Sequence, residues 1–393
     1  MKARARAGAR LLAVGCAAAV VGGLMPISST SGSAFPARLG QVPSECHPAV
    51  LAGAGRFLAN FTTVCKVTST VPANGDLGPH GITVIPATVG RLVAGDVLIS
   101  NSNNRNNVPG TGSTIAEISP KTGVLRLFAN VAAQTHTPVG LTAALAVFHD
   151  GYVVVGSLPR TKATAETSTA VALYILNSRG RLVQTVRGDD ISGPWDMASY
   201  DGGDFGVLFV TNVMPGGGAS SGRVVHNGDV VRLVLDLVAS RPTVVHHVII
   251  ASGFGEMTGP VGRVNGPTGL AYAPNGTIYV ADTLANRIAA IPDGMSRLTS
   301  AGTGRTVTSG NFLEAPLGLV QAPDGDLLST NAGNGQIVES TLYGGPGFLF
   351  GDQPEWPTVD SSGSGALFGL AVQPGEKGVY FVDNLTHSLD IFM

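Results

Sequence analysis

Two recurring positions in this chain carry side chains that could bind or transform a ligand. The first is the variable place of a Pro-x-Gly motif or a close variant of it, filled by His80, Val139, Trp195, Thr268, Leu317 and Phe368, with Asp196 directly after Trp195. The second is the polar end of a short apolar run, filled by Asn101, Asn212, Asp282, Asn331 and Asp383. An imidazole with nearby carboxylates suits general acid–base chemistry. His80, Asp196 and Asp383 are therefore the candidates for catalysis.

The same side chains also have structural interpretations, which the sequence leaves open. A lone histidine such as His80 is often a packing or hydrogen-bonding residue, and Trp195 could equally be a stacking platform or a plug. An Asn or Asp at the end of a strand can accept hydrogen bonds from the amides of the tight loop after it. This local role explains a recurrence in nearly every repeat, which a single site for a hard cation would not. We therefore assign no metal ligand and predict no cofactor.

The stretch Gly266–Ile291 indicates which elements position these residues. An apolar run Gly269–Ala273, the turn Pro274-Asn275-Gly276 and the alternating run Ile278–Asp282 are typical of two antiparallel strands joined by a hairpin. A third run begins at Arg287 after a short polar loop. The opening motif occurs six times along the chain, at intervals of roughly 50 to 70 residues.

Six such units predict an all-β fold, a six-bladed β-propeller of four-stranded antiparallel blades over residues 78–393. The sixth unit ends at Met393 after its third strand. The segment Phe57–Thr68 has strand character and no unit of its own, so we predict that it completes the last blade beside Ser388–Phe392. Closing the ring in this way would remove an exposed sheet edge.

The unit Gly266–Ile291 resembles the repeat of NHL-repeat propellers. It has their Gly-Pro-x-Gly opening, their Pro-Asn-Gly turn, a strand that ends Tyr-Val-Ala-Asp, and the Asn-Arg-Ile that follows. Ala315–Val338 is similar, and Leu367–Leu389 is similar in weaker form. The resemblance implies a propeller that is distantly similar in architecture to the gluconolactonase-like hydrolases and the streptogramin lyases.

These two enzyme groups supply an alternative function. The gluconolactonase-like hydrolases hold a divalent metal with one Glu and with Asn or Asp at the first-strand openings, where this chain has neither Glu nor Asn. The streptogramin lyases would need a histidine and an acid near a bound metal, and His80 with Asp196 or Asp383 could serve. The alternative is therefore a lactonase- or esterase-like hydrolase, or a lyase, that uses a divalent cation.

Strand alternation places the Pro-x-Gly residues and the polar strand ends at the same end of the propeller. The loops between second and third strands emerge there as well, and three are long: 102–112, 158–169 and 213–227. Long loops on a rigid scaffold often carry binding sites, although neutral insertions are also tolerated. We predict that this face binds a small molecule, a glycan or a protein. Its predicted residues are His80, Asn101, Arg105, Trp195, Asp196, Asn212, Asp282, Asn331 and Asp383.

Composition and the N-terminal residues narrow the partner class and the location. The chain has 24 basic and 26 acidic side chains, a balance that argues against nucleic-acid binding. Residues 1–34 join a basic stretch to the apolar run Leu11–Met25, as in a signal peptide. We therefore expect a secreted, periplasmic or cell-envelope protein without a transmembrane anchor in its mature chain. A lipoprotein modified at Cys16 is the alternative.

Residues 35–77 form an N-terminal segment that contains the closing strand and two cysteines. Cys46 and Cys65 are an even pair in a chain that we expect to be exported, which predicts a disulfide. Two unpaired thiols are the other possibility.

Overall fold

The computed structural model describes residues 46–48, 57–135, 139–158, 171–213, 223–258, 264–310, 312–342, 351–352 and 365–393. The predicted signal peptide, Cys16, nearly all of the predicted loop 158–169 and residues 214–222 of the predicted loop 213–227 lie outside these residues. The end of the second loop was predicted wrongly, because a strand already begins at Val225. The described helices are two short 3-10 helices, Leu58–Asn60 and Ala132–Gln134, and neither could cross a bilayer.

The strands, numbered in chain order, account for most of the described residues. They are β1 (Cys46–Pro48), β2 (Thr63–Ser69), β3 (Leu77–Val84), β4 (Val97–Asn103), β5 (Pro109–Ile118), β6 (Leu125–Asn130), β7 (Leu145–Val147), β8 (Val153–Ser157), β9 (Ala172–Leu176), β10 (Leu182–Val186), β11 (Pro194–Asp201), β12 (Phe205–Asn212), β13 (Val225–Asp236), β14 (Thr243–Thr258), β15 (Val264–Asn265), β16 (Pro267–Tyr272), β17 (Ile278–Asp282), β18 (Arg287–Ile291), β19 (Arg305–Ser309), β20 (Pro316–Gln321), β21 (Leu327–Asn331), β22 (Ile337–Ser340), β23 (Gly351–Asp352), β24 (Leu367–Val372), β25 (Val379–Asp383) and β26 (Ser388–Phe392).

These strands form six antiparallel sheets, which we number as blades 1 to 6. From the inner strand outward they are β3–β6, β7–β10, β11–β14 with the short β15, β16–β19, β20–β23, and β24, β25, β26, β2 and β1. The innermost strands contact one another in the cyclic order β3, β7, β11, β16, β20, β24 and back to β3. This ring confirms the predicted six-bladed propeller of four-stranded blades.

The hydrophobic core lies between the blades. Within β17, Ile278 and Val280 pack in a cluster shared with blade 3, whereas Tyr279 and Ala281 pack in a cluster shared with blade 5. Successive side chains of a strand point to opposite faces of the sheet. Because both faces of a blade are covered, its strands are nearly continuous apolar runs.

The turn of the reference unit follows from its local sequence. Gly276 has a φ of 84°, which residues with a Cβ rarely adopt. Its amide donates to the carbonyl of Ala273 at 2.8 Å, and Asn275 Oδ1 accepts from the amide of Thr277 at 3.0 Å. The two strands that follow the turn, β17 and β18, have the bounds that the sequence predicts.

The N-terminal segment closes the ring as predicted. Strand β2 pairs antiparallel with β26, with Val64 opposite Phe392 and Lys66 opposite Asp390. Cys46 and Cys65 form the predicted disulfide, which joins β1 to β2. The predicted strand was too long at its start, because residues 57–61 contain a 3-10 turn instead. The amides of Phe57 and Leu58 there donate to the two carboxylate oxygens of the buried Glu339 at 2.8 and 2.9 Å.

The predicted long loop 102–112 is mostly a hairpin. The ladder between β4 and β5 continues to the pair Asn103 and Pro109, so residues 104–108 form the connecting loop. The side chain of Asn103 donates to Asn107 Oδ1 at 2.8 Å across this loop. The predicted loop was therefore too long, because the backbone ladder of β4 and β5 extends into this Gly- and Asn-rich stretch.

Candidate functional site

The centre of the ring is a cavity of about 810 Å³ lined by the inner strands of all six blades. Each inner strand has a sheet partner on one edge only, so its other edge presents backbone amides and carbonyls to the cavity. The lining reaches from the Pro-x-Gly residues His80 and Trp195 at one end to the turn residues Asn275 and Asp324 at the other. A cavity of this volume is within the range of small-molecule sites.

Three aromatic rings converge at the Pro-x-Gly end of the cavity, where they form what we call the aromatic floor. The ring of His80 lies 4.1 Å from that of Trp195 and 4.3 Å from that of Phe368, between centroids. Trp195 is 8% exposed and shares an apolar cluster with Leu317. Its indole N–H has no hydrogen-bond partner. Trp195 is therefore a nearly buried member of this cluster that also lines the cavity.

Asp196 reaches the cavity because of a β-bulge in β11. The register between β11 and β12 shifts between Pro194 and Asp196, and such a bulge changes the direction of a side chain. Asp196 Oδ2 accepts from the amide of Leu270 in blade 4 at 3.0 Å, and Oδ1 accepts from the amide of Met197 at 2.8 Å. The carboxyl group thus connects two blades while it lines the cavity.

Burial shifts both ionisable groups at this end of the cavity toward their neutral forms. Desolvation lowers the pKa of His80 to about 3, so the imidazole is uncharged at pH 7. Desolvation raises the pKa of Asp196 to about 7, against the opposing effect of the two amide donors. Among the described residues that line the cavity there is no Lys or Arg. The charge of Asp196 is therefore not compensated by a cationic side chain in the cavity wall.

The polar strand ends occupy buried positions away from the cavity. Asn101, Asn212, Asp282, Asn331 and Asp383 are each at most 3% exposed, and none of them lines the cavity. Arg105, by contrast, is exposed in the loop between β4 and β5. The structure thus brings His80, Trp195 and Asp196 together and places the other predicted face residues elsewhere. Whether those residues contact a ligand stays a prediction.

The strand-end Asn residues hold the segment that enters their own blade. Asn101, Asn212 and Asn331 donate from Nδ2 to the carbonyls of Thr70, Asp190 and Phe312, at 2.7 to 2.8 Å. In each case the acceptor precedes the inner strand of that blade. The sequence suggested acceptance from the following loop, whereas the amide group donates to the preceding segment.

The strand-end Asp residues instead act as acceptors, which suits a carboxylate. Asp383 Oδ1 accepts from the amides of Leu385 and Thr386 in the following loop, at 2.7 and 3.1 Å. Asp282 accepts from the side chain of Arg287 at 2.8 Å. The predicted local role therefore describes Asp383 well, and this residue is not part of the cavity lining that contains His80 and Asp196.

A row of hydroxyl groups, which the sequence reasoning missed, supports the inner strands. In three blades the residue before the polar strand end is Ser or Thr, and the Oγ atoms of Ser100, Thr211 and Thr330 accept from an amide of the inner strand at 2.9 to 3.1 Å. In blade 2, Ser157 at the end of β8 accepts from the amide of Gly140, which precedes β7, at 2.9 Å. Thr211 and Thr330 also donate to the carbonyls of Thr268 and Phe368 in the next blade, at 2.7 and 2.6 Å. The available signal was this recurrence of a hydroxyl next to the more conspicuous Asn or Asp.

A group of three carboxylates lies in blade 5, at Asp324, Asp326 and Glu339, with oxygens within 4.8 Å of one another. Glu339 already accepts from the amides of Phe57 and Leu58, and Asp326 Oδ1 accepts from that of Leu342 at 3.2 Å. These hydrogen bonds give the buried carboxylates a structural role in joining the N-terminal segment to blade 5.

Comparisons with known proteins support the fold. No protein-family model and no curated protein sequence matches the chain. Among solved structures it is similar to a gluconolactonase from Xanthomonas campestris, with 15% identity and a TM-score of 0.55 over 90% of this chain and 97% of that one. A virginiamycin B lyase from Staphylococcus aureus, with quinupristin, matches with 13% identity and a TM-score of 0.49 over 82% and 97%. At this identity the gluconolactonase match shows a common propeller architecture.

Proposed function

We propose that this chain is an exported propeller of the NHL-repeat type that binds a small organic molecule in its central cavity. The observation that carries this proposal is the convergence of His80, Trp195 and Asp196 on one cavity of about 810 Å³. A few polar groups in a largely apolar concave surface are characteristic of small-molecule sites. We propose in addition that the loops after the second strands, observed at residues 104–108 and predicted within 158–169 and 213–227, add contacts to larger ligands or to a protein partner.

Trp195 offers a direct measurement of cavity occupancy. The chain has two tryptophans, so Trp356→Phe leaves Trp195 as the single indole fluorophore. A small-molecule library is titrated into this variant while its emission is recorded, and hits are confirmed by calorimetry. Hits should lose affinity in Ser199→Trp, which adds bulk to the cavity wall, and keep it in the matched control Ser199→Ala. Hits that bind equally well to both variants would place the site outside the cavity.

Export has its own test. We propose cleavage of residues 1–34, supported by their basic and apolar composition and by a disulfide between Cys46 and Cys65. N-terminal sequencing of protein recovered from the culture medium or the cell envelope should start near Phe35. Recovery of a lipidated chain that starts at Cys16 would favour the lipoprotein, and an uncleaved intracellular chain would contradict export.

A hydrolase or lyase is the second candidate, favoured by the position of His80 and Asp196 in the same cavity. A carboxyl group with a pKa of about 7 can act as a general base near neutral pH. A neutral His80 could then hydrogen-bond to a substrate oxygen. A panel of lactones and esters tests this candidate. Turnover that is lost in Asp196→Asn and retained in Asp383→Asn would support an enzyme. If the protein turns over none of these compounds, the binding function remains the proposal.

The metal-dependent form of this candidate does not fit the residues present. A hard divalent cation takes about six to eight oxygen ligands. The described first-strand openings provide one imidazole at His80 and one carboxyl group at Asp196, both of whose oxygens already accept backbone hydrogen bonds. The other first-strand openings among the described residues carry apolar or hydroxyl side chains. We therefore route no step through a metal.

A further inference from the structure

Asp196 is an anionic group that lacks a protein cation in its surroundings. Its carboxylate oxygens accept hydrogen bonds from the amides of Met197 and Leu270, whereas an ionised carboxylate has about four acceptor sites. No Lys or Arg is among the described residues that line the cavity. Ionised Asp196 therefore has unused acceptor sites and an uncompensated negative charge next to the cavity. A ligand that brings a positive charge would supply both the donor and the compensation.

The aromatic floor favours the same type of ligand. A cation is attracted to the face of an aromatic ring within about 6 Å, and most strongly to that of tryptophan. Trp195 precedes Asp196 directly, and the rings of His80 and Phe368 lie beside each other with centroids 4.3 Å apart. The imidazole of His80 is neutral at pH 7, so it does not repel a cation. An aromatic surface and a carboxylate thus meet at one end of the cavity.

The rest of the cavity suits an apolar body attached to that charge. Its lining beyond the aromatic floor includes parts of apolar residues such as Ala146, Met197, Leu270, Leu319 and Leu370, together with inner-strand backbone and a few polar residues. Burial of hydrocarbon against such walls is favourable, at about 25 cal/mol per Å². A carboxylate or phosphate on the ligand would face Asp196 instead and be repelled by it.

We propose that the central cavity selects an organic cation, a protonated amine on an apolar body, with the charge held between Asp196 and the aromatic floor. This inference rests on the proposed function, because it specifies the ligand class of that same cavity. The expected preference over a neutral ligand of the same shape is about tenfold or more, because a cation–π contact and a charge-assisted hydrogen bond act together.

A matched set of three ligands tests this preference in the Trp356→Phe variant. The ligands are 4-phenylbutylammonium, 4-phenylbutanol and 4-phenylbutyrate, which share one apolar body and carry a positive, zero and negative charge. Affinities are measured by Trp195 fluorescence and by calorimetry at pH 8. We expect the ammonium ion to bind most tightly and the carboxylate most weakly. Equal binding of the ammonium ion and the alcohol, or tightest binding of the carboxylate, would overturn the inference.

Two substitutions assign the preference to the proposed residues. Asp196→Asn should reduce the advantage of the ammonium ion over the alcohol to less than about threefold. Phe368→Leu removes one aromatic face without altering Asp196, and it should weaken binding of the ammonium ion more than that of the alcohol. If circular dichroism shows that Asp196→Asn does not fold, Phe368→Leu and the three ligands still test the proposed preference for a cation. An unchanged advantage in the folded variants would refute the assignment.

Failure of this inference is distinguishable from failure of the proposed function. If neutral library compounds bind and are excluded by Ser199→Trp while the ammonium ion shows no advantage, the cavity binds small molecules but the cation inference is wrong. If no compound of any charge binds in the cavity, both proposals are wrong.

Discussion

Replacement of Asp390 by Asn should stabilise the protein at alkaline pH and leave its stability at acid pH unchanged. Asp390 lies in β26, opposite Lys66 of the closing strand β2, and it is 2% exposed. Its Oδ2 accepts from the hydroxyl of Ser388 at 2.6 Å. Burial raises the pKa of this carboxyl group from 3.8 to about 7, because the ionised form loses its hydration inside the blade.

The sign of the effect follows from proton linkage. The folded protein keeps this proton up to about pH 7, whereas the unfolded chain releases it near pH 3.8. The free energy of unfolding therefore falls as the pH rises through this window. The pKa difference corresponds to a loss of about 4 kcal/mol at most, at about 1.4 kcal/mol per pH unit. This value is an upper bound, since small movements of the strand would let water reach the carboxylate.

Urea denaturation of the wild type and of Asp390→Asn at pH 5 and pH 8.5 measures this difference. An Asn side chain resembles the protonated carboxyl group and can still accept from Ser388, so the two proteins should be equally stable at pH 5. At pH 8.5 the variant should be more stable by about 2 to 4 kcal/mol. Asp204→Asn, at an exposed position, is the control and should show no comparable dependence. A variant whose stability follows that of the wild type at both pH values would refute the reasoning.

Three further substitutions test the structural basis of the ring and the site. Thr330→Val should lower the free energy of unfolding by about 2 to 4 kcal/mol, because it leaves the amide of Gly318 and the carbonyl of Phe368 without their partner. Urea denaturation measures this loss, with the exposed Thr62→Val as the control. Equal stability of the two variants would contradict the structural role of the hydroxyl row. Replacement of both Cys46 and Cys65 should lower the free energy of unfolding by about 3 kcal/mol, because the disulfide closes a loop between residues 19 apart. An unchanged midpoint of thermal unfolding would show that the other contacts are sufficient to close the ring. Trp195→Phe should lower the thermal midpoint only slightly, because removal of a buried indole N–H that has no partner offsets part of the packing lost with the larger ring; a decrease as large as that of Trp195→Ala would contradict this offset.

Local features of the sequence were sufficient to predict the blades. Each strand and turn is specified by a few neighbouring residues, through the strand period, the turn chemistry at Asn275-Gly276 and the recurring opening motif. The strands β17, β18, β25 and β26 therefore have the predicted bounds. Boundaries were predicted less well where side chains extend a ladder, as between β4 and β5. The closing strand could be inferred because a ring of blades leaves one strand to be supplied.

The contents of the site depended on contacts between blades, which a strand pattern does not encode. The sequence offered His80, Trp195, Asp196 and Asp383 as equivalent candidates for one face. The tertiary structure separates them, because a bulge in β11 directs Asp196 to an amide 74 residues away, while Asp383 is buried in its own loop. By itself the sequence determined a six-bladed ring, because strands and turns are specified locally. Only the tertiary structure decided which side chains share the cavity, because that depends on how each blade is placed against the next.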